Sequence, residues 1–236
     1  MSFVCYPWFS MDLEKFEERA GISFNNKTLL KQAFTHRSYL NEHKGVGEHN
    51  ERLEFLGDAV LELIVSDFLY AKYPDKPEGE LTAFRAALVN TMSISEAAAN
   101  LDMNKHLLLS KGEAKDIGRA RQYILANTFE AVIGALYLDQ GYNLAKSFVG
   151  GALFEKTDAI VRGELWQDAK SKFQEYSQET FGVTPHYELI GESGPDHDKH
   201  FTTGVFIGDR EIARGEGKSK QEAEQAAAER ALATVA

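Results

Sequence analysis

The stretch HNERLEFLGDAVLELIV, residues 49–65, carries the pattern from which the rest of the chain is read. Three carboxylates, Glu51, Glu54 and Asp58, stand in an otherwise apolar run. On a helix, residues three, four and seven apart share a face. The spacings here therefore gather the three acids into one stripe, while Leu53, Phe55, Leu56, Val60, Leu63 and Ile64 point elsewhere. Like charges at that spacing repel, and an acid drawn into apolar surroundings costs free energy unless something compensates it. The same periodicity predicts one long helix over residues 50–73, ended by Pro74.

Helical periodicity continues on both sides of this run. DLEKFEERAG carries Leu13 and Phe16 and stops at Gly21. NKTLLKQAFTH places Leu29, Leu30, Ala33 and Phe34 at helical spacing. KPEGE reads as a turn, and LTAFRAALVNTMSISEAAANL and QYILANTFEAVIGALYLDQG as further helices, the second ended by Gly141. NLAKSFVGGALFEKTDAIV is the last. After RGELWQD the period changes. A short helix, AKSKFQEYSQETFG, precedes HYELIGES, KHFTTGVFIGD and REIARGEG, whose alternation predicts three hairpin-connected strands. SKQEAEQAAAERALATVA closes as an Ala-rich helix. The predicted fold class is mainly α with a small α+β domain: an all-helical part at 1–163 (1–10 being an extension), a linker at 164–168 and an α-β-β-β-α part at 169–236.

Composition bounds what such a chain does. At 236 residues with 43% apolar and 26% charged content it has the make-up of a soluble globular protein. The lone Cys5 excludes an internal disulfide and a multi-cysteine zinc site, and suits a reducing, cytoplasmic setting. No run of 18 apolar residues exists, so no membrane span is expected, and the N-terminus lacks the basic region and cleavage site of a signal peptide. The net charge of −10 is shared evenly. Residues 1–165 hold 18 basic and 23 acidic side chains and residues 166–236 hold 8 and 13, so each part carries −5. Any contact with nucleic acid must come from a local basic patch.

The later helix QYILANTFEAVIGALYLDQG carries Asn127 and Glu130, three apart, among Ile124, Leu125, Phe129, Val132 and Ile133. Two helices presenting oxygen donors toward one point suit a hard divalent cation such as Mg2+, and the chemistry such a cation serves is phosphodiester hydrolysis. Spacing alone leaves this open against the alternative of a solvated acidic stripe.

HNERLEFLGDAVL closely resembles the signature of the ribonuclease III family, and LLKQAFTHRSYLNE and ILANTFEAVIGALYLDQG resemble that family's other blocks in the same order. The resemblance runs from about residue 13 to the C-terminus. It implies an all-helical endonuclease domain that dimerises with a second copy and uses Mg2+, or Mn2+ in its place, to cut double-stranded RNA. Carried over position by position, Glu54, Asp58, Asn127 and Glu130 are the implied metal ligands, and Glu51, Asp58 and Glu130 the catalytic set. Glu51 lies beside the scissile phosphate, near a second cation or its water. Glu78 in PEGEL matches a further acid that projects toward the site, the alternative being a surface turn residue. Asn127 departs from the pattern, since the family usually has Asp there. It offers a neutral carbonyl oxygen for a carboxylate, which Mg2+ still accepts, as in the catalytic loop of protein kinases. Phe55 matches an aromatic that plugs a socket on the partner subunit, the alternative being an intramolecular core position. His36 and Arg37 in THRSY have the chemistry to touch phosphate but are read as structural.

The C-terminal part resembles the double-stranded-RNA-binding domain. The resemblance assigns Gln174 and Glu175 to one minor groove, His197 in the loop GPDHDKH to the next, and Lys218, Ser219 and Lys220 at the start of the last helix to the phosphates between them. Such a domain spans about 16 base pairs and reads A-form shape. The whole is expected to be a cytoplasmic, homodimeric, Mg2+-dependent endoribonuclease. It would process structured rRNA and mRNA precursors and leave 5′-phosphate and 3′-hydroxyl ends with short 3′ overhangs. The rival expectation is a non-cleaving binder of double-stranded RNA whose metal site is impaired by Asn127.

Overall fold

Where the apolar period lies near 3.6 the chain is helical, and where it drops to two the chain forms strands. The computed structural model describes residues 13–45, 47–162, 169–195 and 199–235, so the extension 1–10, the linker 164–168 and His197 lie outside the described residues. The chain forms two units, residues 1–163 and 164–236. The first holds α1 (Leu13–Ala20), α2 (Lys27–Ala33), α3 (Arg37–Glu42), α4 (Glu51–Lys72), α5 (Glu78–Leu88), α6 (Thr91–Asn100), α7 (Arg119–Gln140), α8 (Tyr142–Leu153) and α9 (Thr157–Arg162). The second holds α10 (Ala169–Phe181), β1 (His186–Ser193), β2 (His200–Ile207), β3 (Arg210–Gly217) and α11 (Lys220–Val235). This is a mainly helical protein with a small α+β part. Among the described residues no helix is long and apolar enough to cross a membrane.

Three expectations change. NLAKSFVGGALFEKTDAIV is not one helix but α8 and α9, joined by a 3-10 turn at Phe154–Lys156. Residues 81–101 are not one helix but parts of α5 and α6. The side chain of Asn90 accepts from the Ser93 backbone N–H at 2.9 Å and starts α6 afresh. KPEGE is a turn only as far as Pro77, because Glu78 and Glu80 already occupy the first turn of α5, where carboxylates favour the positive helix end. The short helix α3 is an addition, capped by His36, whose ring accepts from the Ser38 N–H at 3.3 Å.

The axis of the first unit is α7. Its residues from Ile124 to Leu136 are almost all buried, as a helix that is apolar on every side requires. It packs chiefly on α4, with α2, α6 and α8 on its other sides. Phe129, Val132, Ile133, Leu61, Ile64 and Val65 are fully buried between them. Two glycines set the α4–α7 distance. A Cβ at Gly57 would stand 1.7 Å from the Glu130 carbonyl oxygen, and one at Gly134 would stand 2.2 Å from that of Leu53. The two backbones therefore touch where α4 crosses α7.

In the second unit the sheet runs β1-β2-β3, antiparallel throughout, with Val205 of β2 in a core shared with Phe173 of α10 and Ala227, Ala228 and Ala231 of α11. The alanines let α11 lie close on the sheet, and a Cβ at Gly215 of β3 would meet the Ala227 nitrogen at 2.1 Å.

The crossing makes a sharp prediction. Gly57→Ala must push α4 off α7 and should destabilise the first unit by about 3 kcal/mol or more. Gly151→Ala, on an open face of α8 with nothing within 4 Å, should instead be neutral or stabilising by about 0.5–1 kcal/mol. Urea midpoints of the two variants compare them directly, and equal midpoints would contradict the crossing.

Candidate metal centre

The crossing at Gly57 and Gly134 brings the polar residues of α4 and α7 together. Glu54 precedes Gly57 by nearly one turn and Asp58 follows it, while Glu130 and Asn127 precede Gly134 by one and two turns. Burial is uneven across the set. Glu51 and Asp58 are exposed, whereas Glu54 and Glu130 are half-buried, so the desolvation expected of the whole stripe falls on these two. Burial, and then the charges of Glu51 and Asp58, push the Glu54 carboxyl up. A side-chain hydrogen bond from Asn127 pulls the other way, as an amide N–H donated to a carboxylate should. Glu130 is pushed up to about 8, mainly by burial and then by Asp58 and Glu54. At neutral pH this carboxyl holds its proton.

The donor set is three carboxylates and an amide, all hard oxygen, which fits Mg2+ or Mn2+ and not a thiolate- or imidazole-seeking metal. Among the described residues no three carboxylate, imidazole or thiol groups already stand as a closed metal cage, although the acids plainly feel one another's charge.

Glu51 sits at the rim. Arg37 Nη1 lies 3.2 Å from its Oε1, and His49 Nδ1, charged only when protonated, lies 3.8 Å from Oε2. The start of α4 is held from below by Asn50, only 2% exposed. Its side-chain amide donates to the Ala33 carbonyl at 3.2 Å and its backbone N–H to that of Thr35 at 2.9 Å. Sequence reasoning passed over Asn50, although an Asn just before a helix is itself a start signal.

Glu78 does not join the cluster of its own chain. It accepts from the Thr82 hydroxyl at 3.0 Å at the start of α5. That helix starts six residues after Lys72 ends α4 and places Arg85 Nη1 2.9 Å from Ser66 Oγ, so Glu78 lies toward the end of α4 away from Glu54. From Glu54 to Lys72 alone is ~27 Å of helix. Phe55 is 81% exposed, which removes the intramolecular core alternative.

In the second unit Gln174 and Glu175 are exposed on α10. Lys218 and Lys220 flank the start of α11 and are exposed. Ser219 caps that helix. Its Oγ accepts from the Glu222 N–H at 3.2 Å, and the Glu222 carboxylate accepts from the Lys218 N–H at 2.9 Å. A Cβ at Gly217 would meet Glu222 Cβ at 2.5 Å, so β3 delivers the lysines directly onto the helix end.

Comparison with known proteins agrees over both units. The Ribonuclease-III-like family profile matches residues 26–157, and the double-stranded RNA binding motif matches residues 169–235. Ribonuclease 3 of Enterococcus faecalis is 49% identical over 220 residues, 93% of this chain and 95% of that protein. Ribonuclease 3 of Protochlamydia amoebophila is 47% identical over 219 residues, 93% of this chain and 90% of that protein. A solved nuclease domain of ribonuclease III from Campylobacter jejuni, whose structure concerns flexibility in a region involved in dimer formation, is 37% identical. Its TM-score is 0.54, and the match covers 60% of this chain and 98% of that one.

The raised Glu130 predicts how metal-free protein responds to pH. An unfolded glutamate loses its proton near 4.5 and folded Glu130 only near 8. Between those values the folded state holds a proton that the unfolded state has released, so stability falls as pH rises and levels off above 8. In EDTA, the melting temperature of wild type should drop between pH 5 and 8 by on the order of 5 °C more than that of Glu130→Gln. Parallel profiles would show that Glu130 is not desolvated.

Proposed function

The chain belongs to the ribonuclease III family and is an endoribonuclease for double-stranded RNA, and we propose that it works as a Mg2+-dependent homodimer in which each subunit cuts one strand. The observation that carries this reading is the hard-oxygen donor set brought together by α4 and α7 at the Gly57–Gly134 crossing. Glu54, Asp58, Asn127 and Glu130 would hold the cation, which when bound activates water and neutralises charge on the leaving oxygen. Mn2+, equally suited to oxygen donors, would substitute.

The protein's own residues do the rest. Glu130, whose carboxyl burial pushes up to about 8, would hold the cation in its deprotonated form, so binding would be coupled to loss of that proton. The Asn127 side-chain amide favours the charged form of Glu54, and its carbonyl would be offered to the cation. Glu51 borders the scissile phosphate. Gln174, Glu175, Lys218 and Lys220 hold the duplex through its grooves and backbone, with Ser219 shaping the helix end that presents the lysines. His197 would enter the second groove. Phe55, exposed on α4, suits a socket on a second subunit, and Glu78 reaches an acid cluster only if that cluster belongs to a partner. The products would be 5′-phosphate and 3′-hydroxyl ends with short 3′ overhangs, from structured rRNA and mRNA precursors in the cytoplasm.

Incubation of the pure protein with a perfect RNA duplex should give cutting with Mg2+ and none with EDTA. Glu130→Gln should lower cleavage by orders of magnitude while duplex binding persists. Equal loss of both would remove Glu130 from the site. Sedimentation should give a species near twice 26.4 kDa, and Phe55→Ala should shift it toward monomer. A monomer that cuts both strands at full rate would contradict the dimer.

Asn127→Asp decides between this reading and a non-cleaving binder. Two charges about 4 Å apart interact by roughly 4 kcal/mol at an effective dielectric of 20. Repulsion from Glu54, Asp58 and Glu130 offsets much of that, as does loss of the amide hydrogen bond to Glu54. The net expectation is about tenfold tighter Mg2+ binding, or 1.4 kcal/mol, read as a lower Mg2+ concentration for half-maximal cleavage. A binder would instead be inert as wild type and gain cutting with Asn127→Asp.

A further inference from the structure

The pair His36–Arg37 in THRSY is split by the structure. His36 turns inward. Its ring nitrogen caps α3 and lies 2.8 Å from Ser38 Oγ, which in turn accepts from the Ser110 N–H at 3.0 Å. Ser38 is buried, and at the other end of the same helix the Glu42 carboxylate accepts from the Lys111 N–H at 3.1 Å. Asn50 ties the start of α4 to residues 33 and 35, just before α3. α3 is thus fixed at both ends against the segment 108–111 and, through residues 33–36, to the start of α4.

Arg37 leaves this fixed platform in the opposite direction. Its side chain is 70% exposed, and its guanidinium stands against Glu51 at the rim of the acid cluster. An exposed pair of this kind contributes little stability, so nothing holds Arg37 on Glu51 once a stronger anion arrives. Five donors in a planar fork match a phosphate better than a lone carboxylate oxygen at 3.2 Å. The cluster it borders is acidic and repels a polyanion, so a cation at its edge is where a backbone phosphate can first be accepted. We propose that Arg37 is a phosphate-binding residue, gripping the RNA backbone beside the Glu51 edge of the cleavage site. The proposal rests on the reading of that cluster as the place where RNA is cut, but its test does not require cutting.

The full chain is titrated with a perfect RNA duplex, with Ca2+ in place of Mg2+, over a range of salt concentrations. Each phosphate contact adds about one to the slope of log affinity against log salt. Arg37→Ala should reduce that slope by about one per engaged subunit without changing the melting temperature. Arg37→Lys should keep the slope, since it keeps the charge. The same comparison in a Glu51→Gln background separates direct contact from an effect through Glu51. The loss on Arg37→Ala should persist there, and its disappearance would overturn the proposal, as would an unchanged slope in the wild-type background. With Mg2+, Arg37→Ala should raise KM by about tenfold with kcat nearly constant. A fall in kcat at constant KM would show instead that Arg37 only orients Glu51. If wild type binds and shows the Arg37-dependent slope yet never cuts, the cleavage assignment fails and the phosphate contact stands.

Discussion

The backbone contact between Gly57 and Gly134 is the constraint on which the rest of the first unit depends. Helices usually pack with axes 8–10 Å apart, set by the side chains between them. Here the side chains are missing at the point of crossing, and ideal Cβ atoms would fall inside the opposing backbone. Residues within two turns of the crossing are therefore brought closer than ordinary packing permits. Glu54, Asp58, Asn127 and Glu130 are those residues. Mg2+ binds oxygen at 2.0–2.1 Å and tolerates little error in position, so donors spread across a wider helix pair could not share one ion. The same closeness buries Glu130 between the helices, and burial is the largest cause of its raised carboxyl.

That arrangement is electrostatically unfavourable by itself, and the structure shows how it is tolerated. Burial and the neighbouring acids push the Glu130 carboxyl up to about 8, and the Asn127 amide favours the Glu54 carboxylate. An aspartate at 127 would have no amide proton to give and would add a fourth carboxylate to the gap. Asn127 thus lowers the cost of the metal-free state and, if it is a ligand, would weaken a metal-bound one. The departure from the family pattern shifts the balance between those two states without removing an oxygen donor.

The elements were largely legible in the sequence because their signals are local. Period 3.6 marks α4 and α7, period two marks β1, β2 and β3, and Pro74 and Gly141 mark ends close to where α4 and α7 stop. What could not be read locally was the pairing. A glycine inside a helical pattern is ambiguous, and nothing in EFLGDAV alone says that Gly57 faces Gly134. Yet each glycine lies within about one turn of the acids on its own helix, and that coincidence was available. Asn90 and Pro77 were likewise readable as helix starts but were overridden by the longer periodic runs around them. The acids could be grouped by spacing and resemblance, whereas their unequal burial could not be read. It depends on which side of the crossing each faces, so Glu51 and Asp58 stay wet while Glu54 and Glu130 do not. The position of Glu78 was also invisible, since it follows from α5 folding back along α4.

A chain carrying −10 that acts on a polyanion must meet it through restricted surfaces. At the start of α11 the unpaired N–H groups would by themselves invite a phosphate, but Glu222 and Ser219 already use two of the backbone donors there. Any attraction there would then come from the Lys218 and Lys220 side chains, placed where the helix dipole disfavours cations. Residues kept at a position that costs stability point to a use outside the fold. In the first unit the sign problem is sharper, because the acid cluster would repel the very strand it is proposed to cut. A divalent cation there would change the local field from repulsive to attractive. Substrate and cation would then favour each other's binding by the same factor, as linkage requires. The duplex-binding unit would hold RNA regardless of metal.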